Sequence, residues 1–203
     1  MPQVKQAIEL WARSVQGPYQ RGRAALYTQQ YEEARTSLRA SVAQQEGDLV
    51  DKYLALGAAE YGAGRYPEAI ETLEKAYRLR PKSATVLNEL AITLQAAGRY
   101  PEAEFLLQRA LAIHENAWGR EHPKVATSSN NLGIVYESQG RYGQAEPLFR
   151  RALAIDEKVL GPEHSEVITV IENLASVLSR LGREDEATRL KDRVKLFRDR
   201  RRQ

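Results

Sequence analysis

The side chains in this 203-residue sequence that could do chemistry are three histidines, a pair of adjacent asparagines with a distant copy, and many carboxylates. Asn130 and Asn131 open the stretch NNLGIVYESQGRY, although asparagine is a mediocre helix former. Asn173 follows Asn131 by 42 residues. A carboxamide offers an acceptor and two donors, the set that pairs with a peptide unit of an extended chain. His122 and His164 are also 42 residues apart, in GREHP and GPEHS, while His114 stands alone in ALAIHENAWG. Neither HxxxH nor HExxH occurs, so no metal is expected, and recurrence suits a turn residue packed on the next helix. With no cysteine, disulfides, thiolate metal sites and a cysteine nucleophile are excluded. GxxxxGK[ST], GxGxxG and GxSxG are all missing, and the carboxylates scatter along exposed-looking faces such as GRYPEAIETLEK. Neither catalysis nor a cofactor is expected.

Composition points to the elements that must position these groups. Alanine, leucine, arginine, glutamate and glutamine dominate, which favours helix over sheet. No stretch approaches 18 apolar residues and the start, MPQVKQAIELWARS, lacks a secretory signal pattern, so a soluble, cytoplasmic protein is expected. The net charge of +3 is uneven: Ala187 to Gln203 carries +6, leaving –3 on the rest.

The sequence repeats itself. GRYPEAIETLEKAYRL begins at Gly64, GRYPEAEFLLQRALAI at Gly98, GRYGQAEPLFRRALAI at Gly140 and GREDEATRLKDRVKLF at Gly182, at intervals of 34, 42 and 42 residues. A weaker copy, QQYEEARTSLRASV, starts at Gln29. Each copy follows a segment with its own helical stripe. Ser129, Leu132, Gly133 and Tyr136 form one; Leu87, Leu90, Ala91 and Leu94 another; Ile171, Leu174, Ala175 and Leu178 a third; Tyr53, Leu56 and Gly57 begin a fourth. Ala103, Leu107 and Ala110, or Ala145, Phe149 and Ala152, mark the segment after the turn. The glycine ends one helix, and Pro67 or Pro101 opens the next. Each unit therefore reads as a helix–turn–helix hairpin. Gly57, Gly133, Ala69, Ala103 and Ala145 allow close approach of its two helices, and such a unit must stack on neighbours to bury its face.

The order L-G-x-x-Y, G-R-Y, Ala, Phe/Leu, Ala resembles the tetratricopeptide repeat, TPR, over nearly the whole chain, with Pro81 as the terminal proline of the second unit. The 42-residue units, with ALAIHENAWGREHP and ALAIDEKVLGPEHS, resemble the kinesin-light-chain subtype; their second helix should run to Gly119 or Gly161. No heptad region of a motor subunit is present. The resemblance implies an all-α, right-handed solenoid of five hairpins forming a single domain. An N-terminal helix (1–16, striped by Val4, Ile8, Trp11 and Val15) precedes a degenerate unit (17–48). That unit has Gly17-Pro18 in its first helix and Gln29 for the turn glycine. Units at 49–82, 83–122, 123–164 and 165–203 follow, the last ending in a basic capping helix striped by Ala187, Leu190, Val194 and Phe197.

In such a superhelix the leading helices line the concave surface. Turning 100° per residue puts Thr127, Asn131, Ile134 and Ser138 opposite the core stripe, with Asn130 off to the side as a structural residue. The same positions hold Thr169, Asn173, Ser176 and Arg180 in the fifth unit, and Thr85, Glu89, Ile92 and Ala96 in the third. Asp51, Ala55, Ala58 and Gly62 hold them in the second. Ile92, Ile134 and Tyr61 could line side-chain pockets. The Lys/Arg pattern of carboxylate-clamp TPRs is missing at Thr85 and Glu89, so chaperone C-termini are not the expected ligand. The reading is a non-enzymatic scaffold or adaptor that holds an extended segment or helix of a partner protein in its groove. A self-associating module is the first alternative, and contact of the basic tail with nucleic acid or anionic lipid ranks below it.

Overall fold

Four glycine turns set where the leading helices stop. In the computed structural model, which describes residues 23, 30–43 and 48–200, Gly64, Gly98, Gly140 and Gly182 have φ of 74°, 78°, 71° and 75°. Only glycine reaches this left-handed region without a steric penalty. The arginine after each glycine donates its N–H to the carbonyl five residues back, at 2.8–2.9 Å: Arg65 to Glu60, Arg99 to Leu94, Arg141 to Tyr136 and Arg183 to Leu178. This is a Schellman closure, which satisfies carbonyls left open at a helix end. The Arg141 guanidinium also covers the Tyr136 ring, 4.3 Å from its centroid. A β-carbon on Gly140 would meet nothing within 4 Å. Gly140→Ala should therefore cost backbone strain alone, about 1 kcal/mol. Urea unfolding should show it as a lower midpoint with unchanged slope.

Among the described residues every regular element is a helix: α1 Tyr31–Ala43, α2 Leu49–Gly62, α3 Tyr66–Leu79, α4 Ala84–Ala96, α5 Tyr100–Trp118, α6 Pro123–Ser138, α7 Tyr142–Leu160, α8 Ser165–Arg180 and α9 Glu184–Arg200. The N-terminal stripe Val4, Ile8, Trp11 and Val15, the Gly17-Pro18 break, Gln29, and Arg201 and Arg202 lie outside the described residues. The helices fall into two compact units, residues 1–99 with α1 to α4 and 100–203 with α5 to α9. In the first, α2 packs on α1, α3 and α4. In the second, α6 packs on α5 and α7, α7 on α8, and α8 on α9. Each helix thus touches only near neighbours along the chain, as in a stacked repeat.

The striped positions form the core. Leu87, Leu90, Ala91 and Leu94 are buried in α4, and Ile171, Leu174, Ala175 and Leu178 in α8. On the second helices Ala103, Leu107 and Ala110, and Ala145, Phe149 and Ala152, are buried. Close approach depends on the missing side chains. A β-carbon on Gly57 would lie 2.6 Å from Leu73 Cγ, and one on Gly133 would lie 2.7 Å from Phe149 Cε1. The extended helices α5 and α7 each run 19 residues and stop before Gly119 and Gly161, where φ is 80° and 83°.

The leading helices start on capping side chains. Asp48 accepts from the Val50 N–H at 2.8 Å, and Ser83 caps α4. His122 and His164 do the same for α6 and α8, each Nδ1 accepting an N–H, from Lys124 and Glu166, at 3.2 Å. The recurring histidines are turn residues, as their spacing implies, but they act as helix caps, a role usually taken by Ser, Thr, Asp or Asn.

The basic end is woven into acidic neighbours. Val194 and Phe197 of α9 pack with Val167, Ile168 and Ile171 of α8, and Ala187 is buried on the same helix. Arg193 meets Glu157 at 2.5 Å, Arg198 meets Glu172 at 2.6 Å and Arg200 meets Glu163 at 3.0 Å. Pairs of this kind near the surface add little stability, yet they set an acid beside each of these three arginines of α9.

Candidate functional site

The exposed faces of α6 and α8 are built from side chains that first satisfy their own helices. Thr127 Oγ1 donates to the Pro123 carbonyl at 3.2 Å, and Thr169 Oγ1 to the Ser165 carbonyl at 3.1 Å. Ser138 Oγ donates to the Ile134 carbonyl at 2.8 Å. Thr127, Ser138, Thr169, Ser176 and Arg180 are exposed, while Asn131, Ile134 and Asn173 are half-buried.

Two hydrogen bonds tie the faces together. Asn173 Nδ2 donates to Asn130 Oδ1 at 3.1 Å, and Ser176 Oγ donates to Glu137 Oε1 at 2.7 Å. Asn130 therefore sits at the boundary between α6 and α8, and one of the two Asn173 donors is already used. Asn131 has no side-chain hydrogen bond within the described residues.

Spaces between successive leading helices gather some of the expected residues. In the first unit Thr85 and Glu89 of α4 face Asp51, Ala55 and Ala58 of α2 across a cavity of about 400 Å³. Glu89 is half-buried, and that burial pushes its carboxyl above the usual carboxylate range. Ile92, one turn on, is half-buried, and Tyr61 is exposed with its ring 5.5 Å from that of Tyr66. In the second unit Thr127 and Thr169 line a cavity of about 210 Å³ with Asn130, Asp156, Glu166 and Val170. Asn131, Ile134, Ser138, Asn173, Ser176 and Arg180 do not line it.

Asp156 and Glu166 have no place in the sequence-based site. The signal was present in the repeat itself: aligning ALAIHENAWG with ALAIDEKVLG sets Asp156 at the position of His114. His114 is buried and its Nδ1 shares a 2.9 Å hydrogen bond with Ser128 Oγ. Burial and the nearby Lys124 charge hold its pKa below the usual histidine value. Among the described residues no group of three or more His, Cys, Asp or Glu side chains is placed to hold a metal, and no helix is long and apolar enough to cross a membrane.

Antiparallel helix pairs, closed by glycine turns and stacked on their neighbours with polar leading faces, define a helical-repeat protein. Family models described as tetratricopeptide repeat match residues 82–158 and 138–194, and another of the same description matches 19–84. The chain belongs to the tetratricopeptide repeat family, whose members generally mediate protein–protein interaction as non-enzymatic scaffolds.

Solved structures agree on the fold. A kinesin-light-chain-type protein of Podosopora anserina, built of nearly identical TPR-like repeats, is 25% identical with a TM-score of 0.73, over 90% of this chain and 94% of its own. BtubC (BKLC) from P. vanneervenii is 24% identical with a TM-score of 0.75, over 89% of this chain and 78% of its own. MamA from Desulfovibrio magneticus RS-1 is 18% identical with a TM-score of 0.68, over 95% of each chain. No curated protein matches the chain.

Proposed function

We propose that the polar faces of the leading helices hold an extended segment of a partner protein, with Asn131 and Asn173 pairing to its main chain. The observation that supports this most is the state of the two amides: half-buried on successive leading helices, with the side chain of Asn131 uncommitted and that of Asn173 fixed by Asn130. A fixed amide loses less freedom when a ligand arrives. With one donor of Asn173 engaged, the pair can offer about three hydrogen bonds to a peptide, at roughly 0.5–1.5 kcal/mol net each. That is about 1.5–4.5 kcal/mol, short of the roughly 8 kcal/mol of a micromolar complex. Side-chain contacts along the same faces, Ile134 among them, supply the remainder.

The test is capture of partners by the intact chain, peptide-array mapping of the bound segment, and affinity measurement with that segment. Asn131→Ala combined with Asn173→Ala should weaken binding at least tenfold. Asn130→Ala, which removes only the internal partner of Asn173, should have a smaller effect. Unchanged affinity in the folded double variant would refute the assignment.

A further inference from the structure

The cavity between α6 and α8 is lined on one side by a buried acid. Asp156, on α7, is only 4% exposed and lines the cavity, and among the described residues no side chain hydrogen-bonds its carboxylate. Glu166, in the first turn of α8, lines the same space. The repeat one unit earlier shows this position satisfied inside the fold. There His114 replaces Asp156, Ser128 replaces Val170 and Lys124 replaces Glu166, each 42 residues earlier. The histidine is satisfied internally by the Ser128 hydroxyl. In the later copy the hydroxyl has become a valine and the cation an acid. The carboxylate is left beside apolar Val170 and the like charge of Glu166, with His164 near enough to favour its charged form.

We propose that this cavity receives the cationic side chain of a partner segment, a lysine or an arginine, between Asp156 and Glu166. A cation there would be attracted by both acids at once, and Asn130, Thr127 and Thr169, whose side-chain oxygens can accept, line the same cavity. The volume of about 210 Å³ suits one long side chain and is below the usual range for a free organic ligand. With two carboxylates and no third His, Cys, Asp or Glu ligand, the site does not make a metal cage. Burial and Glu166 raise the Asp156 pKa while His164 opposes them.

This inference rests on the groove reading above and adds the residue type that the groove selects. Its test uses the intact chain and small probes. N-acetyl-lysinamide and N-acetyl-argininamide, titrated to millimolar levels, should shift the backbone amide signals of Thr127, Asn130 and Thr169 saturably. Neutral N-acetyl-leucinamide should not. The two cationic arms decide between ammonium and guanidinium. Asp156→Asn should weaken the cationic probe at least tenfold, and Val170→Ser, which returns an internal partner to Asp156, should weaken it severalfold with the charge retained. Equal shifts by leucinamide, or unchanged binding in Asp156→Asn, would overturn the proposal. Asn131→Ala should leave the probe unaffected while weakening a main-chain-bound peptide. A failed probe with a peptide still sensitive to Asn131 thus removes the pocket alone. A bound probe with a peptide insensitive to Asn131 removes the main-chain reading alone.

Discussion

At pH 7 the Asp156→Asn chain should be more stable than its parent, and the advantage should vanish near pH 4. Burial first, and the Glu166 carboxylate second, raise the Asp156 carboxyl to about 6 in the folded chain, with His164 opposing them. In the unfolded chain an aspartate titrates near ~3.9. The folded state therefore binds the proton more tightly, so the contribution is complete below about pH 4 and is lost as pH rises through about 6. A separation of about two units corresponds to about 3 kcal/mol. The amide itself needs partners in the same site, so a gain of roughly 1–3 kcal/mol is expected. Urea unfolding of both chains at pH 4 and pH 7.5 reads the difference directly. Other carboxylates, such as Glu104 beside Arg141 and Glu146 beside Arg150 and Arg183, are held below their ordinary values and cancel in the comparison. A less stable Asp156→Asn chain at pH 7.5 would mean that the carboxylate has a favourable partner inside the fold.

The second large effect lies where α6 meets α7. Phe149 is fully buried, and its ring fills the space that a side chain at position 133 would need. Phe149→Ala should cost about 3–5 kcal/mol through lost burial and the cavity left behind. Gly133→Ala should cost about 1–3 kcal/mol by overpacking a rigid ring, partly offset by the better helix propensity of alanine. The two sites share one space. Gly133→Ala with Phe149→Leu should therefore lose less than the sum of the single changes, by at least about 0.5 kcal/mol. Strict additivity in chemical unfolding would show that the ring is not what requires the glycine.

Much of this architecture was legible because the repeat prints the same physical demand several times. Glycine before Arg-Tyr, proline after it, and small residues facing Leu73 or Phe149 each follow from turn geometry and close packing. The candidate site was legible only in part. A helical wheel separates Asn131 from the core face, but it cannot show that Asn173 reaches across to Asn130, because that bond depends on the spacing between α6 and α8. Asp156 was harder still. Its helix reads as amphipathic, and one acid among many on such a helix looks solvated until α6 and α8 close over it. The same holds for the basic end, where the sequence shows the arginines but not Glu157, Glu163 and Glu172 opposite them. Charge counted along a chain is not charge displayed at a surface.

The neighbour-only packing of the second unit has a mechanical corollary. An assembly in which α6 leans on α5 and α7, α7 on α8, and α8 on α9 has no hub whose failure spreads everywhere at once. Loosening of α9 would bare one flank of α8 while α5 and α6 kept their own contacts, much as the last links of a chain can hang slack beyond a taut middle. Amide exchange should accordingly form a gradient, fastest in α9 and slowest around α6 and α7.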